Sequence, residues 1–338
     1  MDEYLMDTPR QAGQWSPPGG SRWKLTLQRA LLSVLAFLGA ALAAEAALRL
    51  GGLAPPPLPS ADSMSTGAWP GPLNDMGIRA SWQAVPARES GELRIVILGD
   101  SFAYGEGVEW WETLPSSLEA ILTDRYPEGR FRVFNLGRPG DDTRMAVNRY
   151  AKVHEVLDPD VLILLAYLND FSSHYPAEAL ARIYEVAGLF GALGRHSYLV
   201  GHLDTRYRLA VMRHRILNDY WGRILRDLEG DFPRFARPLA ELAAFAEGRG
   251  VQFKLALFPW LVSLDGDYPL LPVHERVARF AAATGIEYLD LLPVFRGHDG
   301  NDLRLTPANE HPNPKALFMA AEAMADFLAL GSSLRVAR

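Results

Sequence analysis

No cysteine occurs among the 338 residues, which excludes disulfides, thiolate metal sites and a cysteine nucleophile and leaves the compartment open. An excess of basic residues is missing too, since 34 Lys and Arg stand against 40 Asp and Glu for a formal net charge of -6. Such a chain has no positive field to hold a phosphate backbone, and no zinc-finger or helix-turn-helix signature occurs, so nucleic acid is not expected as a partner. Internal repeats are absent. Metal-ligand spacing is lacking as well: His154, His174, His196, His202, His214, His274 and His298 are scattered, and "HEVLD" has no second histidine of a zinc-protease helix. The stretch "YGEGVEW" carries two glycines but not the third of a nucleotide-binding loop. No metal and no cofactor are therefore expected.

What the chain does have is apolar residues, 49% of the total with 22% charged, enough to bury the core of one large or two modest domains. One run is unlike a core segment. "ALLSVLAFLGAALAA" at 30–44 is uncharged, and its character resumes after Glu45 to give a span close to the roughly 20 residues a bilayer helix needs. The expectation is a single transmembrane anchor over 30–50. Arg10, Arg22, Lys24 and Arg29 precede it and only Arg49 follows closely, so segment 1–29 is placed in the cytoplasm and the remainder outside, facing a periplasm if the cell has one. A cleaved signal peptide is the competing reading; the long polar lead favours retention in the inner membrane. Residues 51–73, dense in Pro, Gly and Ser, read as a semi-rigid spacer, and 74–338 as the folded domain.

Within that domain, apolar strands are expected at Leu93–Leu98, Phe131–Asn135, Val161–Ala166, Phe253–Phe258 and Glu287–Leu291. They alternate with helical patterns at Pro115–Arg125, Thr143–Val156, 271–285 and 314–330. Continuous apolar strands alternating with amphipathic helices make an α/β parallel sheet covered on both faces. A helical insertion at about 171–251 either caps the site or elaborates the sheet's packing, and its Arg213, His214 and Arg215 read as a solvated basic face.

Ligands of open parallel sheets gather beyond the carboxyl ends of the strands. "RIVILGDS" ends there on Ser101, with Gly99 allowing the sharp turn that lets hydroxyl and amide share one space. Gly140, in "RPGDDT" after the second strand, offers an amide, and Asn169, in "YLND" after the third, a side-chain donor; an Asn-Asp turn is the alternative for the latter. His311 stands just ahead of Asn313, which can cap the final helix with Pro314 in its first turn. Proximity to a helix N-terminus favours a neutral imidazole able to take a proton from Ser101.

The order "GDSFAYGEGV", "NLGRPGDDT", "YLND", "EHPN" resembles the SGNH (GDSL-type) hydrolase superfamily over roughly Asn74 to the C-terminus. "LNDMGIRASW" and "EAALRLGG" are similar to its membrane-tethered bacterial members. The resemblance implies a flavodoxin-like three-layer α/β/α sandwich and attack on carboxylic esters. It assigns the nucleophile to Ser101, the oxyanion donors to Ser101, Gly140 and Asn169, and the base to His311. Two positions depart from the pattern: Tyr167 stands where the superfamily usually has Gly, and Asn309 and Ala308 stand where it has the catalytic Asp. Asn309 itself, Glu310, Asp302 or Asp299 is left to orient the imidazole, or a main-chain carbonyl does so. The expectation is a serine esterase acting on an ester-bearing glycan or lipid of the envelope. An O-acyltransferase on an envelope polysaccharide, or a catalytically quiet glycan-binding or assembly module, is the alternative.

Overall fold

The computed structural model describes residues 22–55, 73–74, 76–171, 193–194, 196–211, 218–306 and 309–330. Most of segment 1–29 and of the spacer, part of the expected helical insertion at 172–192, Arg213, His214, Arg215 and Ala308 lie outside the described residues. The chain divides into two compact units, one of residues 1–56 and 187–206, the other of 57–186 and 207–338.

The first unit is built on α1 (Arg22–Leu50), a helix of 29 residues and thus about 44 Å long. It starts earlier than expected, taking in Lys24 and Arg29. Leu31, Leu32, Val34, Leu35, Phe37, Leu38 and Leu42 along it are all exposed. It is long and apolar enough to cross a membrane, a property that signal sequences share. Glu45 is the one acidic residue of this helix. Its carboxylate accepts from the Ser197 hydroxyl at 2.8 Å and from the amides of Tyr198 at 3.0 Å and Leu199 at 2.8 Å, and pairs with Arg49 at 2.6 Å. It thereby satisfies the open amides at the start of α5 (Tyr198–Val211).

The second unit holds a parallel sheet of β1 (Glu92–Gly99), β2 (Arg130–Gly137), β3 (Val161–Ala166), β4 (Gln252–Leu257) and β5 (Glu287–Asp290) in the order β2-β1-β3-β4-β5. Every residue of β1 and β3 is buried, as central strands covered on both faces must be. Helices α3 (Leu114–Arg125) and α9 (Pro314–Leu330) pack on one another, as do α4 (Thr143–Leu157), α6 (Asn218–Glu247) and α7 (Leu271–Thr284), giving the two helical layers of a flavodoxin-like sandwich. The helix starts follow from their caps: Thr113 accepts from the Ser116 amide, Asp142 from Met145 and Asn313 from Ala316.

The sequence pattern did not reveal a small antiparallel hairpin, β6 (Arg304–Thr306) and β7 (Asn309–Pro312), just before α9. At the other end, Asn74 is buried and its side-chain oxygen accepts from the Met76 and Ile78 amides, folding the chain as it enters the domain. Arg79 is buried a few residues on. Its guanidinium donates to the carbonyls of Tyr104 (2.8 Å), Gly105 (2.6 Å) and Val108 (2.6 Å), fastening the loop that follows β1.

Candidate active site

At the carboxyl end of β1 the backbone turns through Gly99, whose φ is +154°. A side chain there would put its Cβ 2.6 Å from the Leu165 carbonyl oxygen and 2.9 Å from the Ala103 Cβ, so only glycine fits. Asp100 caps the short helix α2 (Ser101–Tyr104) by accepting from the Phe102 amide at 2.9 Å. Ser101 therefore opens the helix, and its own amide has no intrahelical acceptor.

The Ser101 hydroxyl meets Nε2 of His311 at 2.8 Å, although the two residues are 210 positions apart. His311 reaches it from β7. Alternation along a strand puts Asn309 on the same face, and the Asn309 Oδ1 accepts from Nδ1 of His311 at 2.7 Å and from its backbone amide at 3.1 Å. The backbone donor fixes which end of the Asn309 amide is oxygen. An amide oxygen only accepts, so Nδ1 carries the ring proton and Nε2 is left bare toward the serine hydroxyl. Burial pushes the imidazole down to about 4, which keeps it neutral and proton-accepting near pH 7. The hairpin is tied to α9 by Asn313, whose side-chain amide donates to the Arg304 carbonyl of β6 at 3.3 Å and to the preceding Asp302 carbonyl at 2.8 Å while its oxygen caps the helix.

The other expected oxyanion donors belong to the loops that follow β2 and β3. The sheet register pairs Gly99 with Gly137 of β2 and Leu165 of β3, so the loops after all three strands leave the sheet together. Gly140 is exposed in the loop after β2. Asn169 lies in the 3-10 turn Leu168–Phe171 after β3, with its side chain outside the described residues. Beside it, Asp170 holds that turn to α4. It accepts from the Thr143 hydroxyl at 2.6 Å and from the Tyr167 amide at 3.0 Å, and burial pushes its carboxyl up to about 6.

Of the groups expected to orient His311, the structure brings Asn309 to it and none of Glu310, Asp302 and Asp299. Glu310 follows Asn309 on the opposite face of β7; burial pushes its carboxyl up to about 7, against the opposing influence of Trp260 and Arg304. Asp302 meets Asn313 through its main-chain carbonyl, and Asp299 caps the turn Gly300–Asp302. Tyr167 is buried and stacked on Phe102 at 3.8 Å between ring centroids, and Phe102 in turn lies 5.4 Å from the His311 ring. It thus forms an aromatic wall behind the histidine. One carboxylate was not anticipated from the sequence: Glu106 Oε2 is 3.5 Å from His311 Nε2. A glutamate between two glycines reads as a turn residue, and nothing local signals its approach to the hairpin.

No curated protein matches the chain. Among solved structures, it is similar to an acetyl-xylooligosaccharide esterase from Geobacillus Stearmophilus, with 14% identity, 71% of this chain and 95% of that chain covered, and a TM-score of 0.44. It is also similar to the esterase EstA from Pseudoalteromonas sp. (14%, 70% and 96%, TM-score 0.42) and to the hydrolase LAE5 from the metagenome of Lake Arreo, Spain (18%, 70% and 95%, TM-score 0.43). The family model described as "GDSL-like Lipase/Acylhydrolase family" matches residues 97–316, a stretch that begins within β1 and ends just beyond His311. With that match spanning most of the chain, from the strand that presents Ser101 to the helix that follows His311, this protein belongs to the GDSL-like lipase/acylhydrolase family of ester-cleaving enzymes.

Proposed function

We propose that this chain is a serine esterase in which Ser101 is the nucleophile, His311 the general base and Asn309 the group that holds the imidazole in its working tautomer. The observation that carries the reading is the unbroken relay from Ser101 Oγ through His311 to Asn309 Oδ1, at 2.8 and 2.7 Å. His311 Nε2 takes the hydroxyl proton as Oγ attacks the ester carbonyl. The amides of Ser101 and Gly140 and the Asn169 side chain receive the oxyanion, and the proton passes on to the departing alcohol. Water, activated by the same imidazole, then releases the acid and restores Ser101. The apolar α1 supports a retained inner-membrane anchor with the catalytic unit outside the cytoplasm, and acyl groups on envelope glycans or lipids as substrates.

The test uses the full-length chain in detergent with p-nitrophenyl acetate. The expected result is a burst of nitrophenol followed by steady release, both lost in Ser101→Ala and His311→Ala. A burst whose acetyl group is delivered to an added oligosaccharide in preference to water identifies an acyltransferase. Absence of any nitrophenol release above the uncatalysed background leaves the chain a binding module and overturns the reading.

A further inference from the structure

In the proposed relay, Asn309 fixes the tautomer but brings no charge, so the imidazolium that forms on His311 during turnover has no counter-ion at Nδ1. We propose that Glu106 supplies that charge from the other side, as the carboxylate against which the His311 imidazolium forms. The inference rests on the reading of Ser101 and His311 as nucleophile and base.

The geometry behind it is specific. Glu106 Oε2 lies 3.5 Å from Nε2, and the two side chains are only 14% and 24% exposed, so their attraction is screened less than that of a surface pair. The backbone is folded to bring the carboxylate there. The amides of Gly105 and Glu106 both donate to the Ser101 carbonyl, at 2.9 and 3.0 Å. Gly105 makes the reversal at φ +77°, where a side chain would strike Thr113. Arg79 holds the carbonyls on both sides of Glu106, and a Cβ on Gly107 would collide with Leu305 of β6. The glutamate turn is therefore seated directly on the hairpin that presents His311.

The other charged groups around the pair are already engaged. On the α2 side Asp100 is committed to the Phe102 amide and Arg79 to three carbonyls. On the hairpin, Arg304 donates to the Gly300 carbonyl and to Asn301, and acts electrostatically on Glu310. Asp302 meets Asn313 through its carbonyl. Among the described residues Glu106 makes no second ion pair, and burial raises its carboxyl above the usual range, as expected of a carboxylate whose partner is cationic only during turnover.

The step balances without a proton on Glu106. The Ser101 Oγ–H bond breaks as Nε2–H forms, Oγ bonds to the carbonyl carbon, and the π pair moves to the oxyanion. On collapse the carbon–alkoxide bond breaks and Nε2 returns the proton to the alkoxide. Glu106 remains ionised throughout and acts through His311, which makes it a positioning residue.

The experiment is the pH profile of kcat/KM for the full-length chain and for Glu106→Gln. The expected result is a plateau lower by about threefold and an acid limb displaced downward by about one pH unit, because one lost counter-charge makes the imidazole a weaker base. Asn309→Asp introduced into Glu106→Gln is expected to recover more rate than it adds to the wild type, a non-additivity that packing damage would not produce. An unchanged plateau and limb, or a lowered plateau with an unmoved limb and additive double variant, overturns the inference. Should Glu106→Gln fail to fold, Glu106→Asp takes its place: the withdrawn charge is expected to give a smaller loss with the same direction of limb shift, and wild-type behaviour overturns the inference. A wild-type protein that forms no acyl-Ser101 intermediate refutes the underlying esterase reading instead, so the two failures are distinguishable.

Discussion

Exchanging Asn309 for aspartate is expected to speed the reaction. In most serine-histidine relays the group at this point is already a carboxylate; here an amide oxygen sits 2.7 Å from Nδ1 and leaves the buried imidazole at about 4. A carboxylate in the same place keeps both hydrogen bonds from His311 and adds an opposite charge within contact distance, which shifts a pKa by about 1–3 units. Each unit is about 1.4 kcal/mol between the two protonation states. If about half the imidazolium charge has developed in the transition state, the barrier falls by about 0.7–2 kcal/mol, or about 3- to 30-fold in kcat/KM. The acid limb of the profile moves up by the same 1–3 units from its low starting point. The assay is nitrophenyl acetate hydrolysis by the full-length chain from pH 4 to 9, with Asn309→Ala beside it. The alanine variant, which strips a hydrogen bond from the charged ring, is expected to lose about 10- to 100-fold. A slower Asn309→Asp with an unmoved limb would refute the idea that Asn309 is an orienting group of the correct polarity and the wrong charge.

Other expectations follow from the surrounding structure. Glu310→Gln should alter stability with pH. Its carboxyl is raised from 4.5 to about 7 in the folded chain, so its contribution is fully present below about 4.5 and is lost as pH rises through about 7. Urea denaturation at pH 5 and pH 8 should show the wild type losing stability relative to the variant across that interval; parallel curves would contradict it. His311, lowered to about 4, has the opposite sign, because the unfolded chain takes up its proton first as pH falls below 6.5, and this contribution is common to both proteins. Arg79→Ala leaves three buried carbonyls without their donor and is expected to cost about 2–5 kcal/mol in denaturant titration, with activity falling as the Glu106 turn loosens. Gly99→Ala forces a Cβ against the Leu165 carbonyl and is expected to abolish soluble folded yield, measured by size exclusion and circular dichroism. The intact chain is expected to remain with membranes through alkaline carbonate washing, while release would show that α1 does not hold it there.

The sheet and the turn that carries the proposed nucleophile were legible because both are written locally. β3 is an unbroken apolar run and β1 becomes one from Ile95 to Leu98, and the Gly-Asp-Ser that ends β1 is a turn that presents a hydroxyl. His311 was legible through its neighbours, since Asn313 and Pro314 announce the start of α9. The hairpin carrying His311 was not, because Arg304–Thr306 and Asn309–Pro312 are short, polar and interrupted by proline, with no period-2 apolar face to read. Its presence still had a consequence the sequence could have yielded: two residues apart on a strand means one face, which puts Asn309 and not Glu310 beside the imidazole. The approach of Glu106 had no such signal. It depends on how the Gly105 reversal and the Arg79 clamp seat one loop on a distant hairpin, a matter of tertiary packing. Tyr167, which departs from the superfamily's glycine, proved to be a wall residue stacked on Phe102.

The contact between Ser101 and His311 is tested most directly by labelling the full-length chain with a fluorophosphonate and mapping the adduct by mass spectrometry. The account predicts a single adduct on Ser101, formed at pH 5 nearly as fast as at pH 7 because His311 stays neutral in both, and suppressed in His311→Ala. An unlabelled Ser101, or labelling indifferent to the loss of His311, would contradict it.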